Sequence, residues 1–357
     1  MSPRDRMGDP RAERGSERDR EERLGALRRE AVESGRVGGS GVRPPGSPLP
    51  APASPPSAET GYYGQPLLKG PVWTWEVPLY FFTGGAAGAA AVIGAAARAT
   101  GAGSDLARHA RWIAALGGAV SPALLVSDLG RPERFLNMLR VVKPRSAMSV
   151  GAWTLVAFST AASARAFADL LERRHGGGRS GLPVRVLANA AEALSAATGT
   201  VMASYTGVLV GATVIPVWNR SVRVLPLHFA ASGLASAVAL LELLGHRHRA
   251  LNLLGMAAAA AELTIGAGFE ADRDPAFEPL KRGRSGAIVR AGGLLSGPVP
   301  LALRILGRRK AAAVSALAGS LLTRFGWVEA GKASASDPAL VLRPAPRHGS
   351  TPTMTAP

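Results

Sequence analysis

Eight runs of apolar residues, each long enough to cross a bilayer as a helix, divide this chain between residues 77 and 328. They lie at 77–97, 110–127, 148–171, 190–214, 225–244, 250–268, 286–306 and 311–328. A hydrocarbon layer of ~30 Å takes roughly 20 helical residues. Lipid offers no partner to an unpaired backbone group, so runs of this length are stable there only as α-helices. The expected fold class is therefore all-α, a polytopic integral membrane helix bundle with about eight transmembrane helices. The seventh run is the weakest, because Arg290 and Arg304 flank it and Pro298 and Pro300 interrupt it; the eighth carries Arg324. Many runs are rich in Ala and Gly. Lipid does not drive helices together by hydrophobicity, so close backbone approach matters, and the pairs Gly84/Gly88 and Gly207/Gly211 are expected at helix crossings.

Outside the runs the composition changes. Residues 1–60 hold arginines and acids in near balance, and then Pro, Ser and Gly dominate from Gly38 to Ser57. Such a segment cannot bury enough apolar surface to fold alone. The expected organisation is a disordered tail at 1–60, a transmembrane domain at 61–332 and a disordered C-terminal tail at 333–357. No cleavable signal core precedes the first run, so the first helix is expected to serve as its own insertion signal. The net charge of +17 arises after the tail, mostly from arginines in short inter-helix loops. That distribution points to membrane topology rather than nucleic acid. The odd-numbered loops are the more basic, which favours them inside. The expectation is a multi-pass plasma-membrane protein with both termini outside.

Missing residues narrow the chemistry. With no cysteine, this chain can hold no iron–sulfur cluster, disulfide or thiolate zinc site. Haem b would need histidines well inside helices, whereas the pattern puts His109, His175, His228, His246, His248 and His348 in loops, tails or helix ends. Neither haem nor a metal site is expected. The chemistry must then use organic ligands, protons or the cofactors of a partner.

The segment Asp128–Trp153, DLGRPERFLNMLRVVKPRSAMSVGAW, is too charged for a simple chain reversal. Pro132 suits the first turn of a short helix. On that helix Phe135, Met138, Leu139 and Val142 would form one apolar face, with Arg131, Arg134 and Arg140 on the polar side. Such a piece would lie at the membrane surface or fold over the bundle mouth.

Ionisable residues inside a bilayer are costly and so are candidate sites. Glu76 opens the first helix four residues before Tyr80, and Asp128 closes the second within reach of Arg131. Asn189 and Glu192 begin the fourth helix and Tyr205 lies deeper in it; His228, Glu242 and Glu262 follow in the fifth and sixth. Glu76, Asp128, His228 and Glu242 are close enough to helix ends to reach headgroup water. Glu192 and Glu262 are not. A two-electron quinone site would use such a set: donors for the two carbonyls, and carboxylates to take the protons released on quinol oxidation. The same residues would also serve a proton- or ion-conducting subunit or transporter with Glu192 and Glu262 on the path. Residue types alone do not separate the two.

Four stretches resemble a known family. GYYGQPLLKGPVWTWEVPLYFFTGGAAG at 61–88, the 128–153 segment, AATGTVMASYTGVLVGATVIPVW at 196–218 and LTRFGWVEAGKASASDP at 322–338 are similar to motifs of the polysulfide-reductase membrane subunit, or NrfD-like, family. The resemblance implies an eight-helix anchor without haem. Such an anchor joins an iron–sulfur electron-transfer subunit and usually a molybdopterin catalytic subunit. It also implies that the anchor exchanges electrons and protons with quinone or menaquinone and is not catalytic alone. By motif, Asp128 and Glu76 would handle protons, while Tyr80, Arg131 and Tyr205 would serve the quinone; Glu192, outside the four stretches, joins the quinone-binding candidates by its place inside the fourth run. Family members often carry Asn or His where this chain has Glu76 and Tyr80, so its hydrogen-bonding scheme differs.

Overall fold

The computed structural model describes residues 68–129, 133–174 and 182–341, apart from the side chain of Arg134. Both expected tails lie largely outside these residues, and so does Arg131. The described chain is all-α and has eight helices able to span a membrane. They are α1 (Glu76–Ala99), α2 (Ser104–Asp128), α4 (Ala147–Arg174), α5 (Leu182–Gly211), α7 (Leu225–Leu243), α8 (Arg249–Ala271), the pair α10 (Gly283–Ser296) and α11 (Pro298–Ile305), and α12 (Arg309–Ser336). Short helices α3 (Glu133–Leu139), α6 (Pro216–Arg220), α9 (Glu278–Lys281) and α13 (Pro338–Val341) lie between or after the spans. The boundary expected at residue 332 falls inside α12.

The seventh span, the weakest of the expected runs, breaks just before Pro298. Gly297 has φ −104° and ψ −92°, outside the helical region, and α11 restarts with Pro298 in its first turn. There a missing N–H leaves no helical bond unmade.

The spans form two groups of four: α1, α2, α4 and α5, then α7, α8, α10–α11 and α12. Helix α7 packs on α1 and α5 and joins the groups. Burial follows from that position. In α1 and α7, 67% and 72% of the apolar window is buried, against 28% in α2, α8 and α10–α11, whose outer faces remain for lipid. Alternating spans place the loops after α2, α5 and α8 on one face, here the mouth face, with residues 68–75 and the end of α12. The loops after α1, α4, α7 and α11 lie on the opposite face.

Small residues set the crossings. A Cβ on Gly199 would sit 2.7 Å from the Gly88 carbonyl oxygen, so α1 and α5 touch backbone to backbone. Gly207 packs likewise on the Leu225 carbonyl, and Gly211 on Val222. Backbone cannot move aside as a side chain can. Gly88→Val should therefore separate α1 from α5 and lower stability by about 1–3 kcal/mol, the usual cost of overpacking, as read from thermal denaturation in detergent.

Candidate functional site

At the mouth face the first residue of α1 and the last of α2 lie side by side, because the helices are antiparallel neighbours. Glu76 sits at a helix N-terminus, where a carboxylate is favoured; Asp128 sits at a C-terminus, where it is not. Thr74 compensates. Its hydroxyl donates to Asp128 Oδ1 at 2.8 Å, its backbone N–H approaches the same oxygen at 3.4 Å, and the hydroxyl also bonds Glu76. A threonine hydroxyl has one proton. It can donate to only one of the two carboxylates at a time, so Thr74 bridges the pair. Trp73, next to Thr74 in the chain, stacks its indole on that of Trp218, with centroids 5.1 Å apart.

Tyr80 follows Glu76 by one turn on the same helix and is buried at 2% exposure. Gly84, Ser121 and Met202 converge beside its ring. Tyr205 lies flat against Gly151, where a Cβ would enter its ring, and its hydroxyl donates to the Ala147 carbonyl. That bond uses the only hydroxyl proton and leaves the oxygen able to accept. The mouth thus gathers Glu76, Tyr80, Asp128 and Tyr205 within one four-helix group. Thr74 and Gly151 complete the arrangement and were not singled out in the sequence.

Glu192 is elsewhere. It belongs to an ion cluster toward the opposite face. One carboxylate oxygen accepts from Arg111 Nε at 2.9 Å and Nη2 at 2.6 Å, and the other from Arg98 Nη1 at 2.5 Å. Arg165 stands 3.5 Å from Glu192 and 2.7 Å from Asp169, which also accepts from Arg111. This geometry separates Glu192 from the mouth tyrosines. Glu242 does not reach headgroup water either; it is buried in a bidentate pair with Arg304, both contacts 2.8 Å. His228 is buried beside Glu262, at 3.4 Å. Helix-end position predicts hydration for Glu76 and Asp128, which are half-exposed, and misleads for His228 and Glu242. On the opposite face His109 and His246 share a 2.7 Å hydrogen bond, and partial burial together with His109 holds His246 below the usual histidine range. Among the described residues, no group of three His, Asp or Glu is arranged to hold a metal ion.

The loop above the mouth carries α3, as expected. Phe135, Met138 and Leu139 are half-buried, whereas Val142 lies beyond the helix end and is 62% exposed, so it leaves the apolar face. Ser149 ties the loop to α4 by accepting the Lys143 N–H at 3.0 Å. Leu136, Val141, Arg140, Lys143 and Arg145 are exposed.

The model of the family described as "Polysulphide reductase, NrfD" matches residues 66–252, more than half of the chain. This chain belongs to the NrfD family. The match runs from the approach to α1 into α8 and includes every mouth residue named above. No curated protein matches the chain. Membership makes this NrfD protein a multi-pass membrane subunit of the quinone-linked oxidoreductase class.

Proposed function

We propose that this NrfD protein exchanges electrons and protons between the quinone pool and an iron–sulfur partner, with a molybdopterin catalytic subunit beyond that partner. The observation that carries the reading is the Glu76–Thr74–Asp128 set above Tyr80 and Tyr205. A quinol that becomes a quinone loses two protons and two electrons. Tyr205 accepts a hydrogen bond from a quinol hydroxyl, and Tyr80 contacts the second oxygen. Asp128 and Glu76 take the protons and pass them to water at the mouth. The two electrons leave for the partner's nearest cluster, since this chain has no cysteine with which to hold a cluster. Quinone reduction is the same sequence reversed. The path reading is less favoured: both Glu192 oxygens are occupied by guanidinium donors, and Glu262 lies in the other helix group.

Asp128→Asn should lower quinone-linked turnover of the assembled complex by about 10²-fold, the low end for loss of a positioned acid–base group. Tyr205→Phe, which removes one hydrogen bond, should lower it by up to about tenfold. Steady-state assays with a quinol analogue, on complexes shown to contain every subunit, check both. Normal turnover in both variants removes these residues from the site.

With no cysteine in this chain to hold a cluster, the proposal brings the partner's cluster to the quinone from the mouth face. The exposed loop supplies the surface: Leu136 and Val141 for apolar contact, and Arg140, Lys143 and Arg145 for acidic groups of the iron–sulfur subunit. Arg134 is assigned to the same surface by sequence. Single charges at an interface rim chiefly steer association. Reversing Arg140, Lys143 and Arg145 together to Glu should release the partner while the membrane subunit still inserts, as seen by co-purification. The proposed orientation sets this face and both termini outside the plasma membrane.

A further inference from the structure

A cavity of about 330 Å³ opens in the second helix group, between α8, α10 and α12, almost wholly beyond the residues matched by the family model. Its walls are apolar, but Thr323 Oγ1 and Trp327 Nε1 of its lining residues are buried without a hydrogen-bond partner, and His228 Nδ1 and Glu262 Oε1 face each other at 3.4 Å without closing a hydrogen bond. Each of these residues is at most 6% exposed. Buried polar atoms are normally satisfied, and leaving one without a partner is costly. Two such atoms beside a loosely closed His–Glu pair, all on residues that line one cavity, mark a place built for a ligand.

The atoms define its chemistry. Trp327 Nε1 only donates, Glu262 Oε1 accepts when ionised, and the Thr323 hydroxyl and the His228 ring nitrogen can do either. Glu262 is fixed by its other oxygen, which accepts from Ser296 at 2.8 Å. The rings of His228, Phe269 and Trp327 meet edge to face, with centroids 5.2–6.4 Å apart. A flat ring bearing oxygens that accept or donate fits such a box. The outer wall is thin: Gly266 and Gly293 leave open space where a Cβ would stand, and Leu263 and Leu294 beside them are 40% and 58% exposed. A ligand therefore enters sideways from lipid. Glu262 lies about 14 Å below the mouth-face end of α8, at 1.5 Å per residue. This is too deep for a phospholipid headgroup and suited to a molecule dissolved in the bilayer.

We propose that this cavity is a second, lateral binding site for an isoprenoid quinone or quinol, separate from the mouth. The identity of the ligand rests on the quinone reading above; the existence of the site does not. The ring oxygens meet Trp327, Thr323 and the His228–Glu262 pair, and the tail leaves between Gly266 and Gly293 into lipid.

The test is photolabelling of the purified complex with an azido-quinone, followed by peptide mapping. Labelled peptides from α8 and α12 are expected. A Cβ at Gly293 meets nothing within 4 Å, and leucine in place of glycine favours the helix, so Gly293→Leu should fold. It should lower labelling of α8 and α12 at least about tenfold, equivalent to ~1.4 kcal/mol of affinity, and leave labelling at the mouth unchanged. Glu262→Gln should weaken α8 labelling without loss of assembly. Label confined to α1 and α5 overturns the lateral site and spares the mouth reading. Label in neither place overturns both, and a phospholipid recovered from the cavity in place of quinone overturns the ligand assignment.

Discussion

Replacing Arg304 with methionine should cost the protein about 3–5 kcal/mol, the penalty for leaving one member of a buried ion pair alone. Both partners are nearly inaccessible, with side-chain exposures of 1% for Arg304 and 2% for Glu242. The guanidinium lies over Gly255, where any Cβ would collide with it, and it also donates to Asn252 at 3.3 Å. Arg304 supplies both of the hydrogen bonds that pin the Glu242 carboxylate, one to each oxygen. The double variant Arg304→Met with Glu242→Leu removes both charges and should recover most of the loss, because buried pairs are often replaceable by apolar residues of similar volume. Denaturation of the four proteins of the cycle in detergent measures the coupling. Equal losses in the single and double variants would mean that the pair does not act as a unit.

A loss of similar size, about 3–5 kcal/mol, is expected for Glu192→Leu. Here three arginines converge on two carboxylates, and removal of Glu192 leaves Arg98, Arg111 and Arg165 with Asp169 alone. Asp169→Asn should cost less, since Glu192 still neutralises Arg111. Quinone-linked turnover per assembled complex should hardly change in either variant that survives, because the cluster lies away from the mouth. A large fall in turnover with unchanged stability would instead return Glu192 to the functional path.

The spans were legible in the sequence because the requirement is one of length: a bilayer sets a minimum number of consecutive apolar residues, and all eight expected runs coincide with helices. Pro298 and Pro300 likewise marked the seventh run as the weakest, since a proline inside a helix removes an N–H that the helix would use, and that span is the one that breaks. The glycine pairs foretold close crossings but not their partners. What the sequence hid is which charge meets which. Arg304 and Arg324 look like reasons to doubt their helices. In the structure, Arg304 is the counter-ion of Glu242, and Arg324 stands 3.7 Å over the Phe229 ring while donating to its carbonyl. Helical period gives the face a residue occupies, not the helix that faces it. Pairs such as Glu242–Arg304 and His228–Glu262 depend on packing order within the second group, which no local pattern encodes. For the same reason the pattern of α5 sets Glu192 with Tyr205, whereas its partners come from α1, α2 and α4. The mouth was more legible because the motifs at 61–88, 128–153 and 196–218 each contribute to it, though Thr74, which joins its two carboxylates, carries no distinguishing signal.

The most direct measurement is redox equilibration in the intact complex purified through this chain. The iron–sulfur clusters of the partner are followed by electron paramagnetic resonance while a quinone/quinol analogue couple is varied, with the terminal substrate absent. The account predicts that the cluster signal follows the ratio of quinol to quinone, and that Asp128→Asn slows this response by about 10²-fold in a fully assembled complex. Clusters that ignore the quinone couple while still exchanging electrons with the catalytic subunit would contradict it.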